Sequence, residues 1–351
     1  MPTPTIPDGE LFMNATLYTG NGGTQTITNG VAGQSFQPDF VWLKTRSTVQ
    51  NHSLIDSVRG NTKILYSDLT NAEGTFSGVL DSFNSNGFTL GSSASVNQNG
   101  TTFVGWQWKA GGAAVTNTAG TISSQVSANT TSGFSVVTYT GNGSGGATVG
   151  HGLGVAPQFI IVKNRADGST NWYCYNQYLD ATSPQNYTIY LSLTNARDAA
   201  SVFWNNTAPT SSVFTIGSSS GVNGSGNAMV AYCWTPIAGY SAFGSYTGNG
   251  STDGPFVYLG FRPRFVMIKA SSISSEHWYI VDATRSPYNA AILYLSPDDS
   301  DAETSPGAAQ FFDFLSNGFK LRVSGSYSNS SGATYIYMAF AENPFKYANA
   351  R

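Results

Sequence analysis

"YTGNG" occurs three times, at Tyr18–Gly22, Tyr139–Gly143 and Tyr246–Gly250. A phrase repeated at such distances is either a ligand loop used three times or a turn that three copies of one fold require. The flanking sequence decides between them. After each copy comes a Pro-x-Phe strand ending in Lys: PDFVWLK from Pro38, PQFIIVK from Pro157 and PRFVMIK from Pro263. The Tyr-to-Pro spacing is 20, 18 and 17 residues, and the lysines are Lys44, Lys163 and Lys269. Next follow HSLIDSVRG, WYCYNQYLD and WYIVDATRS, then SNGFTLGSSASVN, SSVFTIGSSSGVN and SNGFKLRVSGSYSN. Each copy closes on an aromatic strand, FVGWQW, MVAYCW or YIYMAF. The same landmarks in the same order make a tandem array.

The order divides the chain into an N-terminal arm (1–12), unit 1 (13–110), a linker (111–130), unit 2 (131–238) and unit 3 (239–351). The linker, Gly111–Thr130, is small and polar, and its Thr, Val and Ile content predicts an extended strap. Within a unit, short β-branched and aromatic runs alternate with Gly- and Asn-rich turns, and little shows helical spacing. The expected fold is all-β: three tandem β-sandwich units of jelly-roll or lectin-like type. The Pro-x-Phe strand is apolar without a break, as in FVWL, so both faces should be covered. One face would pack on a second sheet of the unit, the other on a neighbouring unit or subunit.

Asn-Gly favours the positive φ angles of a type I′ hairpin turn. The residues Gly20, Asn21, Gly22, Gly141, Asn142, Gly143, Gly248, Asn249 and Gly250 are therefore read as turns that serve geometry. A glycine loop held open for a ligand is the competing reading. A phosphate cradle is disfavoured, because no helix follows.

Composition narrows function. Charged residues are only 10% of 351, against about 25% in an ordinary domain. A net charge of −3 leaves no basic field for nucleic acid and no polybasic anchor for a membrane. The 39 Gly and 14 Pro lie between apolar runs, as turns do. No apolar stretch approaches the ~18 residues that insertion in a bilayer needs. The N-terminal residues lack a signal-peptide pattern, so synthesis and folding in a cytoplasm are expected. Cys174 and Cys233 occupy positions that are not cysteine in the other units, and both are expected as buried free thiols.

The chemistry-bearing candidates are few. Asp56 with Arg59 and Asp282 with Arg285 recur three residues apart, while unit 2 has Asn176 and Leu179 there. They read as structural ion pairs, with Lys44 and Lys269 as possible further partners. No second carboxylate recurs for acid/base glycoside chemistry. GSSSG at Gly217–Gly221 centres on Ser219 but lacks the helix of a nucleophile elbow. His151 stands alone in GHGLG, and the acidic run Asp298–Glu303 lacks the alternate spacing of a calcium loop. No catalytic residue, metal site or cofactor is assigned. Trp172 and Trp278, with Tyr173 and Tyr279, are core residues or, if exposed, the place to look for glycan stacking.

The phrases FQPDFVWLKTRS, GHGLGVAPQFIIVKNR, GYSAFGSYTGNGSTDGPFVYLGFRPRFVMIK and YIYMAFAENPFKYANAR resemble a family of tailed-phage virion proteins, common in aquatic phages and labelled structural, tail or fibre proteins. The resemblance covers nearly the whole chain and carries no catalytic residues. It implies a non-enzymatic virion protein made in the bacterial host's cytoplasm. The leading expectation is a tail fibre or appendage in host attachment. A capsid decoration or head-fibre protein is the alternative, and a glycan-hydrolysing appendage a second. Implied partners are other virion proteins, further copies in a homo-oligomer such as a trimer, and a host-surface glycan.

Overall fold

The computed structural model describes residues 6, 8–30, 34–304 and 311–342. Residues 1–5 and 7 of the expected arm lie outside the described set, as do 343–351 of unit 3. The chain is all-β, with antiparallel sheets packed as sandwiches and only single-turn helices among the described residues.

Each repeat forms a larger inner sheet and a smaller outer one. In unit 1 the inner order is Met13–Thr19, Thr102–Trp108, Phe40–Thr45, Ser53–Asp56, Lys63–Tyr66, Gly74–Thr75. Unit 2 repeats it with Phe134–Thr140, Ala228–Trp234, Phe159–Asn164, Trp172–Asn176 and Tyr187–Tyr190, and unit 3 with Ser241–Thr247, Thr334–Ala341, Pro263–Ala270 and Trp278–Asp282. The Pro-x-Phe strand thus lies centrally, between the aromatic closing strand and the strand that follows it. The outer sheets pair Gln25–Thr28 with Gly87–Leu90, Ala147–Gly150 with Val213–Ile216, and Phe256–Tyr258 with Gly318–Leu321.

The expected linker is extended but is not a free connector. Val115–Asn117 and Ser124–Asn129 pair with each other, and the second pairs with Phe134–Thr140, so both extend the inner sheet of unit 2. The burial of the second strand is that of a packed sheet strand and not of a solvated tether: Ser124, Val126 and Ser127 are buried, while Gln125 is exposed. Ile122 then crosses to bridge Val149 of the outer sheet.

The unbroken apolar strand serves two cores. Phe40 and Trp42 point one way, Val41 and Leu43 the other, because successive side chains alternate across a strand. Val41 and Leu43 fill the sandwich of unit 1, as Ile160 and Val162 fill that of unit 2 and Val266 and Ile268 that of unit 3. Phe40, Trp42, Phe159, Ile161, Phe265 and Met267 all enter one further core shared by the three units. There the closing strands add Trp106 and Trp108, Tyr232 and Trp234, and Met338 and Phe340. Phe40 stacks on Tyr232 of unit 2 with centroids 4.3 Å apart, and Trp108 meets Trp234 and Phe340 edge-on at 6.2 and 5.8 Å. Ile6 from the arm is buried in the same core. The second face of each strand is therefore covered by neighbouring units of the same chain.

A core to which three units contribute ties their stability together. Trp234→Ala should cost ~3–5 kcal/mol and shift one cooperative unfolding transition of the whole chain, measured by fluorescence and far-UV circular dichroism in urea. Separate transitions for the units would contradict a shared core.

Candidate functional site

The recurrent polar residues assemble at two kinds of place: the corner where each chain leaves its inner sheet, and the seams between units. At the corner, "YTGNG" does not make a type I′ hairpin, which corrects the expected turn. The strands on either side of it belong to different sheets, so the chain crosses from inner to outer sheet there. The corner wraps around a buried asparagine at the end of the one-turn helix: Asn97, Asn223 or Asn329.

Asn97 Oδ1 accepts from the Asn21 amide at 2.9 Å, and its backbone carbonyl accepts from Gly22 at 2.9 Å. Asn223 and Asn329 repeat both bonds with Asn142 and Gly143, and with Asn249 and Gly250. The tyrosine hydroxyls of Tyr18, Tyr139 and Tyr246 donate to the carbonyl one residue before that asparagine, at 2.7, 2.6 and 2.8 Å. The two glycines have different reasons. A Cβ on Gly20, Gly141 or Gly248 would sit 2.2–2.4 Å from a backbone oxygen, whereas Gly22, Gly143 and Gly250 hold φ near +70°. Both demands are geometric.

At the seam between units 1 and 2, Arg59 is fully buried and bonded on every side. Its Nε donates to Asp56, its Nη1 pairs with Glu73 at 2.9 Å, and its Nη2 donates to the Leu54 carbonyl and the Tyr232 hydroxyl. Tyr232, from unit 2, donates to Asp56 at 2.8 Å. Burial alone would lower the Arg59 pKa, but Asp56, Tyr232 and Glu73 outweigh it and hold the guanidinium charged. Glu73 also takes a fork of two bonds from Arg165 of unit 2, both 2.8 Å.

The seam between units 3 and 1 repeats this. Arg285 binds Asp282 at 2.5 Å and Glu303 at 3.1 Å, Trp106 of unit 1 donates to Asp282 at 3.0 Å, and Arg46 of unit 1 pairs with Glu303 at 2.8 Å. The third seam, of unit 3 on unit 2, has none of it: Asn176, Leu179, Arg197, Ser271 and Met338 stand at the corresponding places. Its backbone geometry nevertheless persists. Glu73 N donates to Arg165 O, Glu303 N to Arg46 O, and Arg197 N to Ser271 O, at 2.8, 2.8 and 2.9 Å. Three seams of one kind, each joining the strand of one unit to the loop of another, close a ring.

Lys44 and Lys269 do not join the Asp–Arg pairs, which corrects that expectation. With Lys163, they are buried and donate to backbone carbonyls across the seams: Lys44 to Ser300 at 3.0 Å, Lys163 to Thr70 at 2.8 Å, Lys269 to Thr194 at 3.0 Å. Burial pushes all three ammonium groups down to about 8, against the partial support of nearby aspartates.

Trp172, Trp278, Tyr173 and Tyr279 are buried, so no sugar can stack on them. The indoles bridge seams instead. Trp172 Nε1 donates to the Tyr66 carbonyl of unit 1, and Trp278 Nε1 to the Tyr190 carbonyl of unit 2, both at 2.8 Å. His52 holds the matching place at the remaining seam. Its Nδ1 accepts from Trp42 at 2.9 Å, so the proton sits on Nε2, facing the Ser296 carbonyl, and burial keeps the ring neutral. Ser219 caps a one-turn helix, with its hydroxyl 3.2 Å from the Gly221 amide. His151 is buried between the Thr210 carbonyl and the Leu153 amide, and Asp298 binds His277 at 2.9 Å. Cys174 and Cys233 are free and buried. Among the described residues no cluster of His, Cys, Asp or Glu has the arrangement of a metal site.

Sequence reading missed Asn97, Asn223 and Asn329, and the partners Glu73, Glu303, Arg46 and Arg165. The signals were present. The asparagine ends the third landmark in every copy, and Arg two after the Lys is absent only in the unit that faces Arg197 instead of Glu.

The family model of a domain of unknown function, DUF7483, matches residues 8–344, and the chain belongs to that family. No curated protein and no solved structure matches it.

Two measurements follow from the seams. Arg59→Leu strands Asp56 in the interior and should cost about 3–5 kcal/mol in urea unfolding, while Asp56→Asn with Arg59→Leu, the pair unit 2 carries, should recover most of that loss. Equal loss in single and double variants would mean that the pair is not the electrostatic unit described here. The lysines set a pH dependence. Between pH 8 and about 10 the unfolded chain holds protons that the native chain has released, so stability from this source rises with pH. Lys44→Met should remove about one third of that slope, and an unchanged slope would contradict it.

Proposed function

We propose that this chain is a structural protein of a tailed-phage particle, a tail fibre or appendage component that acts in attachment to the host surface. The observation that supports this reading is the use made of the recurrent polar groups. The Asp–Arg–Glu sets, the lysines and the buried indoles are committed to the seams between units, and the corner asparagines to the corner within each unit. What they leave for function is the outer surface, where an appendage protein does its work. The resemblance of its phrases to those of phage virion proteins points the same way.

The apolar strand faces that suggested a homo-oligomer are covered within the chain. One copy already supplies the threefold arrangement that three subunits would otherwise build. That arrangement favours a second reading, a capsid decoration or head-fibre protein, because three near-equivalent edges suit a site of threefold symmetry. Quantitative mass spectrometry of purified particles separates the two. A copy number matching the tail components is expected. One that scales with the capsid subunits assigns the chain to the head, and absence from particles contradicts both.

A further inference from the structure

The repeats control for one another: a position that keeps its character in two units and changes in the third marks a place where the third does something else. The outer sheets give such a comparison in register. Thr26 lies opposite Thr89, Thr148 opposite Thr215, and Phe256 opposite Lys320. One step on, Thr28 faces Gly87, Gly150 faces Val213, and Tyr258 faces Gly318. Just beyond, Gly91 and Gly217 give way to Arg322. Units 1 and 2 therefore present small or hydroxylic residues where unit 3 presents two aromatic rings and two cations.

Those rings face outward. Val257 between them is buried in the unit 3 core, while Phe256 is 45% and Tyr258 56% exposed. Two residues along a strand sets them ~7 Å apart on one face. Gly318 adds no side chain between them: a Cβ there would sit 2.0 Å from the Val257 carbonyl oxygen and 3.0 Å from the Phe256 ring. At the rim Lys320 pairs with Asp253 at 2.7 Å and Arg322 with Asp313 at 2.5 Å. Asp253 is 83% exposed.

Magnitude and charge select the ligand. Two aromatic side chains offer at most ~500 Å² of apolar surface, and about half of it is open here. A stable protein interface needs upwards of ~1,000 Å². The rim charges cancel in pairs, so the face attracts neither an anion nor a cation strongly. It does combine flat apolar rings with clustered donors and acceptors, which suits a molecule with one C–H face and many hydroxyls.

We infer that the outer sheet face of unit 3, with Phe256 and Tyr258 as its floor and Asp253, Lys320 and Arg322 at its rim, is a binding platform for a neutral saccharide chain. Sugar rings stack on the two aromatics, and their hydroxyls bond to the rim. This deepens the appendage reading and rests on it only for the source of the sugar, the host surface.

The test uses the purified full chain and an immobilised panel of neutral polysaccharides built of glucose, galactose, mannose or N-acetylglucosamine. The intact chain should bind at least one. Phe256→Thr with Tyr258→Thr should weaken that binding by at least about tenfold, about 1.4 kcal/mol. Phe256 is 45% and Tyr258 56% exposed, and far-UV circular dichroism in urea checks that the variant is folded under the binding conditions. Tyr288→Thr, a change at a ring exposed elsewhere, should bind as the parent does. No binding to any member of the panel, or binding unaffected by the double variant, overturns the inference. So does self-association that the double variant abolishes while the panel stays unbound, since the face would then be a protein contact. Absence of the chain from phage particles would instead defeat the virion reading and leave the saccharide result standing.

Discussion

The fold depends on a strand that must be dry on both sides. FVWL, FIIV and FVMI each carry four apolar residues in a row, and a strand sends alternate residues to opposite faces. One sandwich buries only one of those faces. The other carries Phe40 and Trp42, Phe159 and Ile161, or Phe265 and Met267, too large and too apolar to leave in water. Three units turning these faces toward one another solve the problem for all three at once, and the ring and its seams follow.

A central core brings buried polar groups with it, because the edges of the inner sheets meet there. Two seams satisfy them with a charged set; the third has neutral residues in place of the buried Asp–Arg pair, and its Arg197 pairs with Asp180 of its own unit at 3.1 Å. No seam holds one member of the buried Asp–Arg pair without the other. That is the outcome expected when a buried ion pair is worth little as a whole but the loss of one partner costs ~3–5 kcal/mol. Asn176 and Leu179 in unit 2 are therefore matched by Met338 and Ser271 across the seam, where Tyr232 and Arg165 stand in the first seam and Trp106 and Arg46 in the second. Backbone bonds and the lysine bridges are common to all three seams, so they set the geometry that the charged sets reinforce.

Much of this was legible in the sequence. The repeat, the β class and the two-sided strand follow from spacing and alternation, and the geometric role of "YTGNG" follows from its recurrence. The turn type did not follow, because Asn-Gly is scored as a local hairpin signal while the partner that shapes it, Asn97, lies 76 residues away. Gly111–Thr130 read as a linker because its composition is polar, yet a two-stranded extension at a sheet edge needs little apolar surface. Trp172 and Trp278 were open to two readings, and only the neighbouring unit's carbonyl decides for burial. Phe256 and Tyr258 drew no notice, since their meaning lies in the contrast with Thr26, Thr148 and Thr28 at matched register.

Small-angle X-ray scattering on the monomer peak from size-exclusion chromatography tests the closed ring most directly. A single 351-residue body has a radius of gyration of about 20 Å, and that is the value expected. Three independent sandwiches strung in line would give roughly 28 Å, and a result near that figure would contradict the shared core.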